Sequence, residues 1–179
     1  MSTTQQTSRA TMGIARRLGL LIGCALLGIA AITAILLASE RRLIMDERQA
    51  SVRQTVEVAH SLVAHYHALA TQGKLTEAQA KQQAMDGLRV MRYSGNEYLW
   101  INDMVPVMVM HPIRPELEGK NLSENKDPTG KRLFVAFVDA VKAQGAGYVP
   151  YLWPKPGASE PVQKVSYVKG FAPWGWVIG

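Results

Sequence analysis

The first apolar segment of the chain, residues 18–38, contains no charged side chain. A helix of that length, at about 1.5 Å per residue, crosses the roughly 30 Å hydrocarbon layer of a bilayer. A cleaved signal peptide is the alternative, but its apolar region is only about 7–15 residues long. The segment also lacks a good cleavage site at its end. The pattern therefore predicts an uncleaved transmembrane helix over residues 18–38.

Residues 40–71 contain no proline or glycine, and their apolar positions recur every three or four residues. This period indicates a long amphipathic helix that continues the membrane helix. Gln72 and Gly73 should end it. The recurring apolar positions form one stripe along the predicted helix, which consists of Val52, Val56, Ala59, Val63 and Tyr66.

A second helix should follow at once. Thr76 and Gln79 have the spacing of a capping box, in which each side chain accepts a hydrogen bond from the other residue's backbone. Ala84, Leu88 and Met91 then lie on one face. A short connection between two such faces predicts an antiparallel pair of helices.

Beyond Tyr93 the pattern changes to short runs rich in β-branched and aromatic residues, interrupted by one further helix. Asp127 followed by Pro128 resembles a helix N-cap with proline at the first position. Strands gathered on helices predict an α+β fold with an antiparallel sheet. The predicted strands are 97–102, 105–111, 148–153, 162–171 and 174–178, and the helix is 129–144.

Charge sets the orientation and excludes one class of partner. The formal net charge is +6, but the basic residues after the apolar segment are scattered among acids, so we expect no nucleic-acid binding. Arg9, Arg16 and Arg17 precede the segment without acids, which favours a cytoplasmic N-terminus and an external remainder. The one cysteine, Cys24, lies inside the segment, so the external part has no disulfide.

Motifs of catalysis and cofactor binding are absent from the sequence. It holds no nucleophile elbow, P-loop, dinucleotide fingerprint or zinc-protease motif. His60, His65 and His67 are close in sequence, but no carboxylate stands at ligand spacing beside them, so exposed histidines are expected rather than a metal site. We therefore predict a protein that is not an enzyme and has no metal or cofactor.

The aromatic residues of the predicted sheet suggest a binding site. Tyr98 and Trp100 are two apart and should share a face, as should Tyr151 and Trp153. Lys164 lies within an apolar strand, where an unpaired charge is costly. Two interpretations remain open at this point: an aromatic core, or a small cavity whose cation holds an anion.

Five blocks of sequence carry a family resemblance that covers nearly everything after the apolar segment. They read NEYLWIND with MVMHP, LEGKNL, DPTGK, YLWPKPG and FAPWGWVIG, at residues 96–112, 117–122, 127–131, 151–157 and 171–179. In this order they resemble the single Cache domain (sCache_2 type) of bacterial methyl-accepting chemotaxis proteins. The resemblance implies a PAS-like antiparallel sheet stacked on the long helix and the second helix.

It also implies a periplasmic sensor for a short carboxylate such as acetate, propionate, pyruvate or lactate. Its organisation would be a cytoplasmic tail (1–17), a transmembrane helix (18–38) in the inner membrane and a periplasmic domain (39–179), as a homodimer. Family members continue past the last block, so we expect a domain truncated at its C-terminus. By the resemblance, the ligand-binding residues are Tyr98, Trp100, His111, Tyr151 and Lys164, with Arg92 added from its position at the rim.

The output is open at this stage. The same sensor could belong to a chemotaxis receptor, to a histidine kinase or diguanylate cyclase, or to a membrane-anchored binding protein without output. Only sequence beyond Gly179 separates the first two possibilities.

Overall fold

The computed structural model describes residues 13–179. Most of the predicted cytoplasmic tail, including Arg9, lies outside the described residues. The chain divides into two compact units, which meet between Asp46 and Glu47. The helices are α1 (Ile14–Thr71), α2 (Glu77–Val90) and α3 (Leu133–Gln144), and the strands are β1 (Arg92–Tyr93), β2 (Glu97–Tyr98), β3 (Ile101–Asp103), β4 (Met108–Met110), β5 (Ala146–Pro154), β6 (Pro161–Phe171) and β7 (Trp176–Ile178).

The first unit contains the apolar part of α1. Its most apolar window of 18 residues has a mean hydropathy of 2.4 and is not buried by other parts of the chain. This helix is long and apolar enough to cross a membrane, by length and composition. The boundaries 18 and 38 for the membrane segment stay a prediction.

The connection between α1 and α2 has the predicted capping box. Gln79 donates its backbone N–H to the Thr76 hydroxyl at 3.2 Å, and Thr76 donates its own N–H to the Gln79 side chain at 2.9 Å. Two otherwise unpaired backbone donors are satisfied in this way. Gly87 of α2 packs tightly on Leu62 of α1, where an added Cβ would come within 3.1 Å of the leucine side chain.

The main sheet has five antiparallel strands in the order β4-β3-β7-β6-β5. The last strand in sequence, β7, is the central one and pairs with β3 on one side and β6 on the other. β5 and β6 form a long hairpin from Ala146↔Lys169 to Pro154↔Pro161. The predicted α+β fold with an antiparallel sheet is confirmed.

Apolar side chains cover both faces of this sheet. On one face, Phe134 and Phe137 of α3 pack with the aromatic residues of β5. On the other face, Val56 and Val63 of α1 and Leu88 of α2 pack against β3 and β7. The first of these two layers contains the residues from which the sequence predicted a site.

Two strand predictions differ from the structure. The predicted strand 97–102 is split, because Glu97 and Tyr98 pair with β1 and only the following residues join the main sheet. Met108 and Met110 are two apart in the predicted strand 105–111 and would share a face of a regular strand, but they are buried in opposite layers. A register shift between β3 and β4 places them opposite adjacent residues of β3, which interrupts the alternation of sides.

Asp127 is not the N-cap of α3, which begins five residues later than its proline, at Leu133. Its buried carboxylate instead accepts hydrogen bonds from the backbone N–H groups of Thr129 and Lys131 and from the Thr129 hydroxyl. The second carboxylate oxygen accepts the N–H of Leu152 on β5 at 3.1 Å. Asp127 therefore ties the loop before α3 to the long hairpin.

These hydrogen bonds, led by that of the Thr129 hydroxyl, lower the pKa of Asp127 to about 2. A depressed pKa stabilises the fold above the ordinary value of 3.8, and that stability is lost as the pH falls toward 2. We expect Asp127→Asn to be less stable than wild type at pH 7 and to lose less stability between pH 4 and pH 2. Urea unfolding of residues 47–179 at pH 7 and between pH 4 and pH 2 measures both effects. Asp139→Asn, which removes an exposed carboxylate, should keep the wild-type slope, and equal slopes for Asp127→Asn and wild type would contradict the assignment.

Candidate ligand-binding site

A small cavity lies between α3 and the sheet. Its volume is about 10 Å³, which is close to the space one water molecule needs. The cavity is therefore too small for an organic ligand, and a larger occupant requires its walls to move. The side chains that line it are Tyr98, Trp100, His111, Leu133, Phe134, Phe137, Tyr151 and Trp153.

Four of the six predicted ligand-binding residues are brought together here: Tyr98, Trp100, His111 and Tyr151. Tyr98 ends β2, His111 follows β4 and Tyr151 belongs to β5, so the site is assembled from three separate strands. The rings of Tyr98 and His111 are 4.9 Å apart. Whether these residues bind a ligand stays a prediction, which the structure supports by their shared cavity.

His111 is held as a neutral hydrogen-bond donor. Its Nδ1 accepts the backbone N–H groups of Ile113 at 3.3 Å and Arg114 at 3.0 Å. The ring proton must then be on Nε2. Burial, with a further contribution from the charge of Arg114, lowers the pKa of His111 to about 4, so the imidazole is uncharged at neutral pH.

Tyr151 is buried, and its hydroxyl lies 2.9 Å from the hydroxyl of Ser166 on β6. Burial raises the pKa of the phenol, which therefore stays protonated. The pair has one more hydroxyl proton than its mutual hydrogen bond uses. When Ser166 donates that bond, the Tyr151 proton is available to an acceptor in the cavity.

Lys164 is paired directly with Tyr151 across β5 and β6. Its ammonium group lies 2.9 Å from Glu97 and 5.5 Å from the centre of the Tyr98 ring. The lysine side chain is only 13% exposed, so it stands at the edge of the aromatic layer and not in open solvent. An ammonium group has three donors, and the Glu97 pair occupies one of them.

Arg92 is placed differently from the other predicted residues. It pairs with Tyr98 in the small ladder, but its side chain is exposed. The guanidinium donates to the backbone carbonyls of Arg89 and Met91 at 2.8 Å. It does not line the cavity, because its guanidinium is hydrogen-bonded to backbone carbonyls at the end of α2.

Trp100 forms an apolar wall. Its ring packs against Phe137 at 5.3 Å, and its Nε1 donates to Asn102 at 3.3 Å. The backbone of Trp100 is hydrogen-bonded in both directions to Gly179. A Cβ on Gly179 would meet the indole at 2.5 Å, so only glycine allows the ring to lie against the chain there.

An open groove of about 480 Å³ lies outside this cavity and shares two of its walls, Tyr98 and Trp153. The guanidinium of Arg114 sits 5.2 Å from the centre of the Trp153 ring and forms an ion pair with Glu116 at 3.0 Å. The turn after β5, including Lys155, completes the groove.

Sequence reasoning missed several of these residues. Trp153 was recognised as sharing a face with Tyr151 but was not included in the site. Phe134 and Phe137 are spaced to lie on one apolar face of the predicted helix 129–144, a pattern that does not distinguish a core from a cavity wall. No local sequence pattern pointed to Arg114, because its guanidinium lies against the ring of Trp153, 39 positions further along the chain.

Within residues 13–179, which the structure describes, no three His, Cys, Asp or Glu side chains come together in a group that could hold a metal ion. The expectation of exposed histidines holds for His65 alone. His60 and His67 are half-buried and pack edge-on against Phe171 at 5.4 and 5.5 Å.

Comparison with known proteins identifies the fold. The Cache domain family model (dCache_2) matches residues 29–179. The methyl-accepting chemotaxis protein McpP of Pseudomonas putida is 40% identical over 169 residues, which cover 94% of this chain and 31% of the relative. The sensor histidine kinase MctS of Rhizobium johnstonii is 30% identical over 100 residues, 56% of this chain and 22% of the relative. The chain thus spans less than a third of the McpP length.

Two solved structures have the same fold. A periplasmic sensor domain of a chemotaxis protein superposes with a TM-score of 0.74 at 51% identity, covering 75% of this chain and 93% of its own. A Cache chemosensory domain, whose structure was described as the basis for carboxylic acid recognition, gives 0.73 at 46% identity, with 75% and 92% covered. The matching model is of the dCache_2 type, whereas the sequence blocks predicted the sCache_2 type. We conclude that the chain belongs to the family of Cache sensor domains found in chemotaxis receptors, as its sequence blocks predicted.

Proposed function

We propose that this chain is the extracytoplasmic sensor region of a chemotaxis receptor and that it binds short-chain carboxylates. The observation that carries the proposal is the set of donors around one small aromatic cavity. The neutral His111, the hydroxyls of Tyr98 and Tyr151, and the nearby Lys164 ammonium are all able to donate to a carboxylate. Such charge-assisted hydrogen bonds are the stronger kind.

In this proposal the ligand's two carboxylate oxygens take different partners. One accepts from His111 Nε2, and the other accepts from the Tyr151 hydroxyl and from Lys164. Trp100 and Phe137 enclose the alkyl end, which favours acetate, propionate, pyruvate or lactate over longer acids. The carboxylate supplies the second counter-charge that Lys164 can hold beside Glu97.

Access requires a change in the walls, since the cavity is too small for such a ligand. Tyr98 and Trp153 separate it from the open groove, so displacement of either ring would join the two spaces. The cations Arg114 and Lys155 in that groove would attract the anion to this entrance. After entry, closure of the rings would exclude water.

Signalling would pass from the sheet to α1. Lys169 of β6 forms an ion pair with Glu57 of α1, and Tyr167 also donates to that carboxylate. A ligand that shifts β5 and β6 would therefore move a charged contact on the helix. We propose that residues 18–38 span the inner membrane, that residues 39–179 lie in the periplasm and that the receptor is a homodimer.

A histidine kinase is the second candidate for the complete protein, because the kinase MctS shares 30% identity with this chain. The sensor and its ligand would be unchanged, and only the effector would differ. An anchored binding protein without an effector is the third. A reading of the gene beyond Gly179 separates the three.

The sensor proposal is tested by a thermal-shift screen of the full chain in detergent against two- to four-carbon carboxylates, amino acids and amines. A ligand at about 100 times its dissociation constant should add about 2.7 kcal/mol of stability. We expect shifts with the short monocarboxylates. Shifts only with amino acids or amines would overturn the carboxylate assignment.

A further inference from the structure

The carboxylate of Glu118 joins the end of α2 to the cavity. Arg89, in the last turn of α2, donates to Glu118 through both terminal nitrogens, at 2.7 and 3.1 Å. This two-point geometry fixes the orientation of a carboxylate as well as its position. The two side chains are 34% and 28% exposed, so solvent screens the pair less than an ordinary surface ion pair.

The same carboxylate also holds the main chain of the cavity histidine. The oxygen that receives the shorter Arg89 bond also accepts the backbone N–H of His111 at 2.9 Å. The residue after Glu118, Gly119, donates its N–H to Met108 of β4 at 2.8 Å. Glu118 is thus fixed from both sides while it holds His111.

Two further hydrogen bonds connect this anchored backbone to the imidazole ring of His111. The backbone N–H groups of Ile113 and Arg114 reach His111 Nδ1 only while the chain turns back after His111. The hydrogen bond from the His111 backbone N–H to the Glu118 carboxylate anchors the start of that turn. The direction and the tautomer of the imidazole therefore depend on Glu118 and, through it, on Arg89.

We propose that Arg89 and Glu118 are positioning residues for ligand binding: together they hold His111 with its Nε2–H directed into the cavity. The proposal rests on the carboxylate-binding function proposed above. Neither side chain lines the cavity, so their effect on binding would act through His111. The arrangement also connects the ligand to α2, whose Leu88 packs with α1 in the second core layer.

The test measures propionate affinity by calorimetry on the full chain in detergent, with Arg89→Ala, Glu118→Ala and the double variant. We expect each single change to weaken binding about tenfold, the loss of roughly one well-placed hydrogen bond to a charged group. The double variant should be no weaker than the singles, because residues that act as one unit are not additive. Glu118→Gln keeps an oxygen for the His111 N–H and should lose less, about threefold.

Two controls separate positioning from a general loss of structure. Glu77→Gln removes the other ion pair of α2, Lys81–Glu77, and should leave propionate affinity unchanged. Arg89→Lys keeps the charge without the two-point geometry and provides a milder variant where alanine fails to fold. Unchanged propionate affinity in Glu118→Ala would overturn the proposal. A loss of binding free energy in the double variant equal to the sum of the two single losses would also overturn it.

A readout without ligand keeps this inference distinct from the function on which it rests. In the ligand-free chain with ¹⁵N-labelled histidine, His111 should give the signals of a single Nε2–H tautomer. Arg89→Ala and Glu118→Ala should both shift these signals toward a mixture of tautomers, and Glu77→Gln should not. If wild type binds no carboxylate, the proposed function fails, but these signals still decide whether the pair positions His111.

Discussion

Replacement of Lys164 by alanine should weaken propionate binding by about tenfold to a hundredfold. Hydrogen bonds to charged groups contribute roughly 1.5–3 kcal/mol, and Lys164 is the cation that stands beside Tyr98 and Tyr151. Because its removal also leaves Glu97 without its partner, the uncompensated carboxylate would repel the ligand. Calorimetric titration of the full chain measures the change.

Lys142→Ala is the matched control, since Lys142 is an exposed lysine at the end of α3. It should bind as wild type does. A second variant, Lys164→Ala with Glu97→Gln, should recover part of the affinity by removing the unpaired negative charge. Wild-type affinity in Lys164→Ala would remove the lysine from the site.

Phe137→Ala should lower the free energy of unfolding by about 3–5 kcal/mol, the usual range for an aromatic core residue. Phe137 is 1% exposed and contacts the rings of Trp100, Phe134 and Tyr151 at 5.3, 5.5 and 5.2 Å. Alanine removes these contacts, and the surrounding side chains cannot fill the space left by the ring without moving out of their own packing. Urea unfolding of residues 47–179, the compact second unit, gives the value.

The same substitution should enlarge the cavity next to the proposed alkyl end of the ligand. We expect Phe137→Ala to gain affinity for five- and six-carbon monocarboxylates relative to propionate. Val105→Ala removes an exposed apolar side chain and should change neither stability nor ligand size preference. A destabilisation below about 1 kcal/mol would contradict the packing of α3 on the sheet, and an unchanged size preference would contradict the ligand pose.

Local features of the fold were predictable from the sequence, and features that depend on distant residues were not. The capping box of Thr76 and Gln79 was correct, because both partners lie within one turn. The prediction that Asp127 is a helix N-cap was wrong. Its carboxylate accepts the N–H of Leu152, which the sequence does not place near it. His60 and His67 lie off the apolar stripe of α1 but pack on Phe171, more than 100 positions away.

The candidate site shows the same division. Side-chain alternation and the family resemblance selected Tyr98, Trp100 and Tyr151, and these residues do share a cavity. Arg92 was chosen from its position near the sheet, but the structure gives it backbone carbonyls as partners. The link from Arg89 through Glu118 joins residues 29 positions apart, and spacing gave no indication of it.

The most direct test of the central claim is a calorimetric titration of the full chain with propionate and, in parallel, with propionamide. The two have nearly the same shape, but only propionate carries the charge that Lys164 and the neutral His111 are proposed to bind. We predict saturable binding of propionate, with one site per chain, and no detectable binding of propionamide at the same concentrations. Equal affinity for the two, or no binding of propionate or any other short carboxylate, would contradict the account.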